Sequence, residues 1–179
     1  MEKIDVNLDL LGSFMNWERK QGLHFLDRQS GEVLSLSAQD EPNDPEQEQL
    51  EKAIFTDTDD RYLPIPDIEP STHFDWMYDF TFFVDSPDLY RALSEILDIT
   101  DKCRKFEARI NRHSEERRLW FFFKQQRLRE EATEWLRACG LKAVVANPDK
   151  SEFRLVRGGP QPHRSRRLCH NPPLADGTL

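Results

Sequence analysis

The chain predicts an α+β fold: one small domain with an N-terminal β-hairpin, a central group of helices and a flexible C-terminal tail. Three observations predict it. Residues 24–28 and 32–37 are short strand-like segments flanking Gln29-Ser30-Gly31, where glycine supplies the positive φ that a tight hairpin needs. Leu89, Leu93, Ile96 and Leu97, and later Leu128, Ala132, Trp135, Leu136 and Cys139, recur at helical spacing. From Gly158 onward the sequence GGPQPHRSRRLCHNPPLADGTL is proline-rich and poor in core formers, too little apolar surface to offset the entropy of ordering. The 179 residues therefore divide into a domain over 1–157 and a basic tail over 158–179.

The elements follow in order. Residues 4–6 read as a short strand, and Asn7 as the N-cap of a helix reaching about Lys20. Val6, Leu10, Phe14 and Trp17 lie on one side of it, Leu11 and Met15 adjoin, and Gly22 ends it. Residues 38–60 form an acidic insert, in which Asp44-Pro45-Glu46 opens a short helix with Leu50 and Ile54 as its apolar edge. The prolines of Tyr62-Leu63-Pro64-Ile65-Pro66 forbid a helix and confine any strand to a sheet edge.

Ser71 or Thr72 caps the next helix, whose aromatics, from Phe74 to Phe83, face every direction and imply burial on more than one side. Ser86-Pro87-Asp88 opens another, with an N-cap followed by proline in the first turn. Cys103, Phe106 and Ile110 mark a short helix that carries positive charge outward. Residues 118–123 read as a strand, because a run of aromatics suits a pleated surface. The helix bearing Leu128 to Cys139 ends at Gly140, and residues 142–146 and 152–156 read as a closing hairpin over Asn147-Pro148-Asp149-Lys150.

The net charge of −8 hides a split. Residues 1–100 carry 7 Lys+Arg against 23 Asp+Glu, a balance of −16, and residues 101–179 carry 18 against 10, a balance of +8. Either the basic part meets a polyanion, or the two halves attract each other within one fold. No apolar run approaches the ~18 residues of a membrane span. The opening MEKIDVNLDL has no basic region followed by an apolar stretch, so no secretory signal is expected. Three widely spaced cysteines, Cys103, Cys139 and Cys169, read as free thiols in a reducing compartment. The expected location is the cytoplasm.

Functional weight falls between Lys102 and Leu141, where cations surround the run Trp120, Phe121, Phe122, Phe123. Guanidinium groups beside large aromatics favour a binding surface over a catalytic one. Arg104, Arg109, Arg112, Arg117, Arg118 and Trp120 are the candidate partner-binding residues, with arginine forks pairing to carboxylates of a protein. The same arginines on phosphates would make an RNA or DNA binder.

Catalytic motifs are not legible. The seven glycines form no cluster that could cradle a phosphate, and there is no G-x-S-x-G elbow. Cys103 and Cys139 fall on apolar helix faces, where cysteine behaves as a small hydrophobe. His73, Asp75 and Asp79 are the metal candidates: the two acids share a face at i and i+4 and could hold a hard cation in a hydrolase or nuclease. The plainer reading is two acids on the wet side of a helix. His163, Cys169 and His170 are ligand types in a tail without a scaffold, and Asp57, Asp59 and Asp60 lack the glycine and closing glutamate of a calcium loop.

Three segments taken together, FLDRQSGEVLSLS, RYLPIPDIEPSTHFDWMYDFTFFVDSPDLYRALSEIL, and the stretch from RKFEARI to ERRLWFFFKQQRLREEATEWLRACGL, resemble the bacterial uncharacterised protein family 0158 over about residues 4–141. Arg61-Tyr62, Ile65-Pro66, Arg104, Phe106, Trp120, Phe122 and Trp135-Leu136 carry the resemblance. The chain departs from it twice. A glycine-containing turn in the family is here Thr100-Asp101-Lys102-Cys103, and an aspartate after Phe122 is here replaced by Lys124-Gln125-Gln126, which removes an expected N-cap for the last helix. The resemblance implies a bacterial cytosolic α+β protein and implies no activity.

The expectation is a non-enzymatic cytosolic binding or regulatory protein, with no cofactor and no membrane association, acting on a protein partner through its basic–aromatic surface. Nucleic-acid binding comes second and metal-assisted hydrolysis third.

Overall fold

The computed structural model describes residues 1–16, 22–36 and 45–144. The predicted domain limit at 157, the tail from 158, and the segments 152–156 and 147–150 lie outside the described residues, as do His163, Cys169 and His170. Six helices and five strands make up the described part, an α+β architecture.

β1 (Glu2–Ile4) and β5 (Leu141–Ala143) join the two ends of that part in a parallel pair, Glu2 opposite Leu141 and Ile4 opposite Ala143. The partner observed for residues 141–143 is thus β1, while the strand predicted at 152–156 lies outside the described residues. Burial selects this pairing, since Ile4 and Leu141 both enter the core. α1 (Leu8–Met15) starts where expected, the Asn7 side-chain oxygen accepting from the Asp9 and Leu10 N–H groups at 3.0 and 3.1 Å. It stops at Met15, and its buried stripe is Leu11, Gly12 and Met15, with Leu10 47% exposed, so the predicted apolar face is rotated by about one residue.

β2 (Leu23–Asp27) and β3 (Val33–Leu36) form the predicted hairpin. Gly31 sits at φ 77°, and a Cβ there would stand 1.8 Å from the Asp5 carbonyl oxygen, so glycine is required twice over. β4 (Tyr62–Pro64) adds to β2 as the opposite edge, giving the order β3-β2-β4. Its proline sits at an edge as expected. α2 (Pro45–Phe55), within the acidic insert, lays Ile54 and Leu50 against Phe25, Leu36 and Tyr62. Beside it Asp57 is a loop builder, its carboxylate accepting from the Tyr62 and Asp59 N–H groups.

α3 (Pro70–Thr81) begins at its proline, one residue before the expected caps, because proline needs no N–H partner in the first turn. α4 (Pro87–Leu97) is capped by Ser86, whose hydroxyl accepts from Leu89 N–H at 3.3 Å. α5 (Lys102–Ile110) and α6 (Ser114–Ala138) complete the fold. Residues 118–123 are helix, not strand. Trp120 and Phe123, three apart, bury together in a helix, whereas a pleated strand would separate them onto opposite faces. The helix containing Leu128 therefore needs no cap near Lys124. Gly12 lets α1 close on α6: a Cβ would meet the Leu128 carbonyl oxygen at 2.9 Å. Among the described residues no helix is long and apolar enough to cross a membrane.

Candidate functional site

α5 and α6 form a helical hairpin through Asn111-Arg112-His113. Inside it an aromatic cluster fixes the geometry. Trp120 lies edge-on to Phe80 at 5.1 Å and to Phe106 at 5.3 Å between centroids, and Phe123 stands 5.6 Å from Phe80. Such pairs add to the burial of the rings themselves. Trp120 is 6% exposed, so it belongs to this core and is corrected out of the partner-binding set.

The arginines divide. Arg104 is exposed and holds Asp101, its Nη2 2.5 Å from Oδ2, which fixes the turn before α5. Arg109 is half-buried in the last turn of α5, Arg112 is exposed in the loop, and Arg117 and Arg118 are exposed in the first turns of α6. Among the described residues no carboxylate pairs with any of these four. Glu115 and Glu116 share the α6 first turn, where they suit the positive end of the helix dipole.

Other cations of the stretch are engaged. Arg127 pairs with Asp79 and Glu130, each at 3.1 Å, and lies over the Phe123 ring. Lys124 reaches Glu107 at 3.4 Å, and Arg129 grips Asp9 through two nitrogens. Asp9 and Asp79 come from the acidic half, so part of the charge split closes within the fold.

At 100° per residue, Arg117, Phe121, Arg118 and Phe122 occupy one arc of α6 about 140° wide. Phe121 is 57% exposed and Phe122 41%, their rings edge-on at 5.9 Å. Reading the run as a strand obscured the exposure of these two rings; helical spacing from Trp120 picks them out, since they point away while Phe123 returns to the core.

The metal candidates separate. His73 is 1% exposed, in the core beside Trp76 with ring centroids 4.8 Å apart. Asp75 is exposed, while Asp79 faces Arg127. Burial pushes the Asp79 carboxyl above the usual carboxylate range, Asp75 adds to this, and Arg127 opposes it. Among the described residues no three His, Cys, Asp or Glu side chains gather closely enough to hold a metal ion. Cys103 and Cys139 are half-buried; the Cys103 thiol lies 3.9 Å from the Met77 sulfur, and burial pushes the Cys139 thiol up.

An open groove of about 600 Å³ lies elsewhere, with Met15, Ile68 and Trp135 among its apolar lining and Glu131 and Glu134 on α6. Burial and the neighbouring carboxylates of Glu134 and Glu130 raise the Glu131 carboxyl. None of the predicted binding residues lines it.

Comparison with known proteins gives a consistent picture of descent. Residues 7–155 match the uncharacterised protein family UPF0158. A UPF0158 protein of Pseudomonas aeruginosa is 31% identical over 113 residues, covering 63% of this chain and 70% of that protein. No solved structure matches the chain. The family match spans most of the domain that carries the basic turn, and the chain belongs to the uncharacterised protein family UPF0158.

Proposed function

We propose that the chain is a non-enzymatic binding or regulatory protein whose α5–α6 turn engages carboxylates on a protein partner. One observation carries this reading: Arg109, Arg112, Arg117 and Arg118 lie on or beside one turn with no carboxylate partner among the described residues, and the ring of Phe121 is exposed one helical turn beyond Arg117. Guanidinium forks match carboxylates in geometry, and exposed aromatics give contact area at small entropic cost. The odd number and wide spacing of the cysteines favour a reducing compartment, and we propose the cytoplasm as the protein's location.

The same arginines and Phe121 also suit phosphates and stacked bases, which keeps RNA or DNA as the second reading. The overall charge of −8 works against it. Salt separates the two: neutralising several phosphates makes affinity fall steeply with ionic strength. A pull-down of the tagged chain from bacterial lysate, with and without nuclease, is the test. A discrete protein retained after nuclease supports the proposal, and a broad nuclease-sensitive catch puts nucleic acid first.

A further inference from the structure

α6 is far longer than the helix that covers it. At 1.5 Å per residue its 25 residues span about 37 Å, while the 8 residues of α1 span about 12 Å. α1 covers one side of the C-terminal half. Gly12 brings it onto Leu128, Leu11 and Met15 are buried, and Asp9 pairs with Arg129.

The same side of α6 continues toward its N-terminus beyond α1, and among the described residues no helix is laid along it there as α1 is. Arg118 stands eleven residues before Arg129, which is three turns plus about 20°, or about 16 Å along the axis. Phe121 stands eleven before Ala132 and seven before Leu128, each within about 20° of the same line. The pattern that α1 covers, a guanidinium beside an apolar strip, thus recurs about 16 Å further up the helix. There Arg118 has no carboxylate among the described residues and Phe121 is exposed.

We infer that this upper half of α6 receives an acidic amphipathic helix of a protein partner, lying along α6 as an extension of α1. Its apolar residues at i, i+3 and i+4 would cover Phe121, and its Asp or Glu side chains would meet Arg118, Arg117 and Arg112, as Asp9 meets Arg129. The inference rests on the proposed protein-binding role and adds the shape of the partner: a helix, with carboxylates on the flank of an apolar stripe.

The test uses the full-length chain and a fluorescein-labelled peptide with leucines at helical spacing and glutamates along the flank, read by anisotropy at about 0.1 M salt. A second peptide has the same composition with the leucine spacing scrambled. Saturable binding of the first peptide is expected, weaker by about tenfold for the scrambled one. Arg118→Glu and Phe121→Ser should each weaken it by about tenfold, with melting temperatures that certify folding. A peptide carrying lysine on the flank should regain binding to Arg118→Glu. Phe82→Ser, an exposed ring on the C-cap of α3, should change nothing. Equal binding of the two peptides, or indifference to Phe121→Ser, overturns the helix inference and leaves the carboxylate-binding role standing. Binding of neither peptide overturns both, and displacement of the bound peptide by RNA at low but not high salt moves the surface to nucleic acid.

Discussion

The Arg104 guanidinium holds the Asp101 carboxylate through Nε at 2.6 Å and Nη2 at 2.5 Å, and the Asp101 backbone sits in the left-handed region at φ 59°, ψ 35°. The turn thus holds an aspartate in a conformation that favours glycine. Short polar side chains tolerate this region better than most, and a fixed carboxylate helps hold the turn.

Asp101→Ala should lower stability by about 1 kcal/mol, since alanine meets the left-handed penalty with no polar side chain to offset it. Asp101→Gly should stay close to the parent and release Arg104 to the basic face. Urea denaturation of both variants checks the order; equal loss in both would mean the turn depends on the ion pair and not on the backbone.

Gly12→Ala would favour an isolated helix by about 1 kcal/mol. Here the new Cβ meets the Leu128 backbone, and an overpacked helix contact costs about 1–3 kcal/mol. The collision wins, because the obstacle is backbone that cannot turn aside. The variant should be less stable by urea midpoint, and an unchanged or raised midpoint would show that α1 can lift off α6 freely.

Trp120 and Phe121 are adjacent and should behave oppositely. Trp120→Ala removes the centre of the aromatic cluster and should cost about 3–5 kcal/mol. Phe121→Ser should alter stability by no more than about 0.5 kcal/mol. Thermal melts of the pair decide it; a large loss for Phe121→Ser would place that ring in a core.

Asp27 is buried and held by Arg61 through Nε at 3.0 Å and Nη2 at 2.6 Å, which keeps its carboxyl below the usual range; burial opposes this, and the Gln29 N–H at 2.8 Å supports it. A depressed folded value means that the stabilisation is complete above the ordinary carboxylate range and is lost as pH falls through the folded value, below about pH 4. Asp27→Asn should therefore cost about 2 kcal/mol at pH 7, toward the lower end for a pair whose arginine is partly solvated, and the gap should narrow at acid pH. Stability curves of both proteins from pH 2 to 7 check this. A constant gap would assign the loss to packing.

Much of the fold is legible because its signals are local. Ser86-Pro87 marks the start of α4, Gly31 marks the hairpin turn, and the prolines at 64 and 66 restrict β4 to an edge. α6 hides because its buried stripe changes side. Trp120 and Phe123 face α3 and α5 in the first half, while Leu128, Ala132 and Leu136, rotated by roughly 150°, bury in the second. A single helical period cannot fit both halves, so the run breaks into an apparent strand and a shorter helix. The β1–β5 pairing joins distant ends and leaves no local trace. The basic stretch of the candidate surface is legible as composition. Which arginines remain available is not, because Arg129 and Asp9 are 120 residues apart in sequence and meet only in the fold.

Charge reversal of the basic turn tests the central claim most directly. Arg109→Glu combined with Arg112→Glu is compared with the parent in two readouts, thermal stability and capture of protein partners from nuclease-treated lysate. Neither arginine pairs with a carboxylate among the described residues, so stability should change by no more than about 1 kcal/mol, mostly from Arg109 at the end of α5, while capture is lost. Retained capture, or a melting temperature that collapses along with it, would contradict a partner-binding role for the turn.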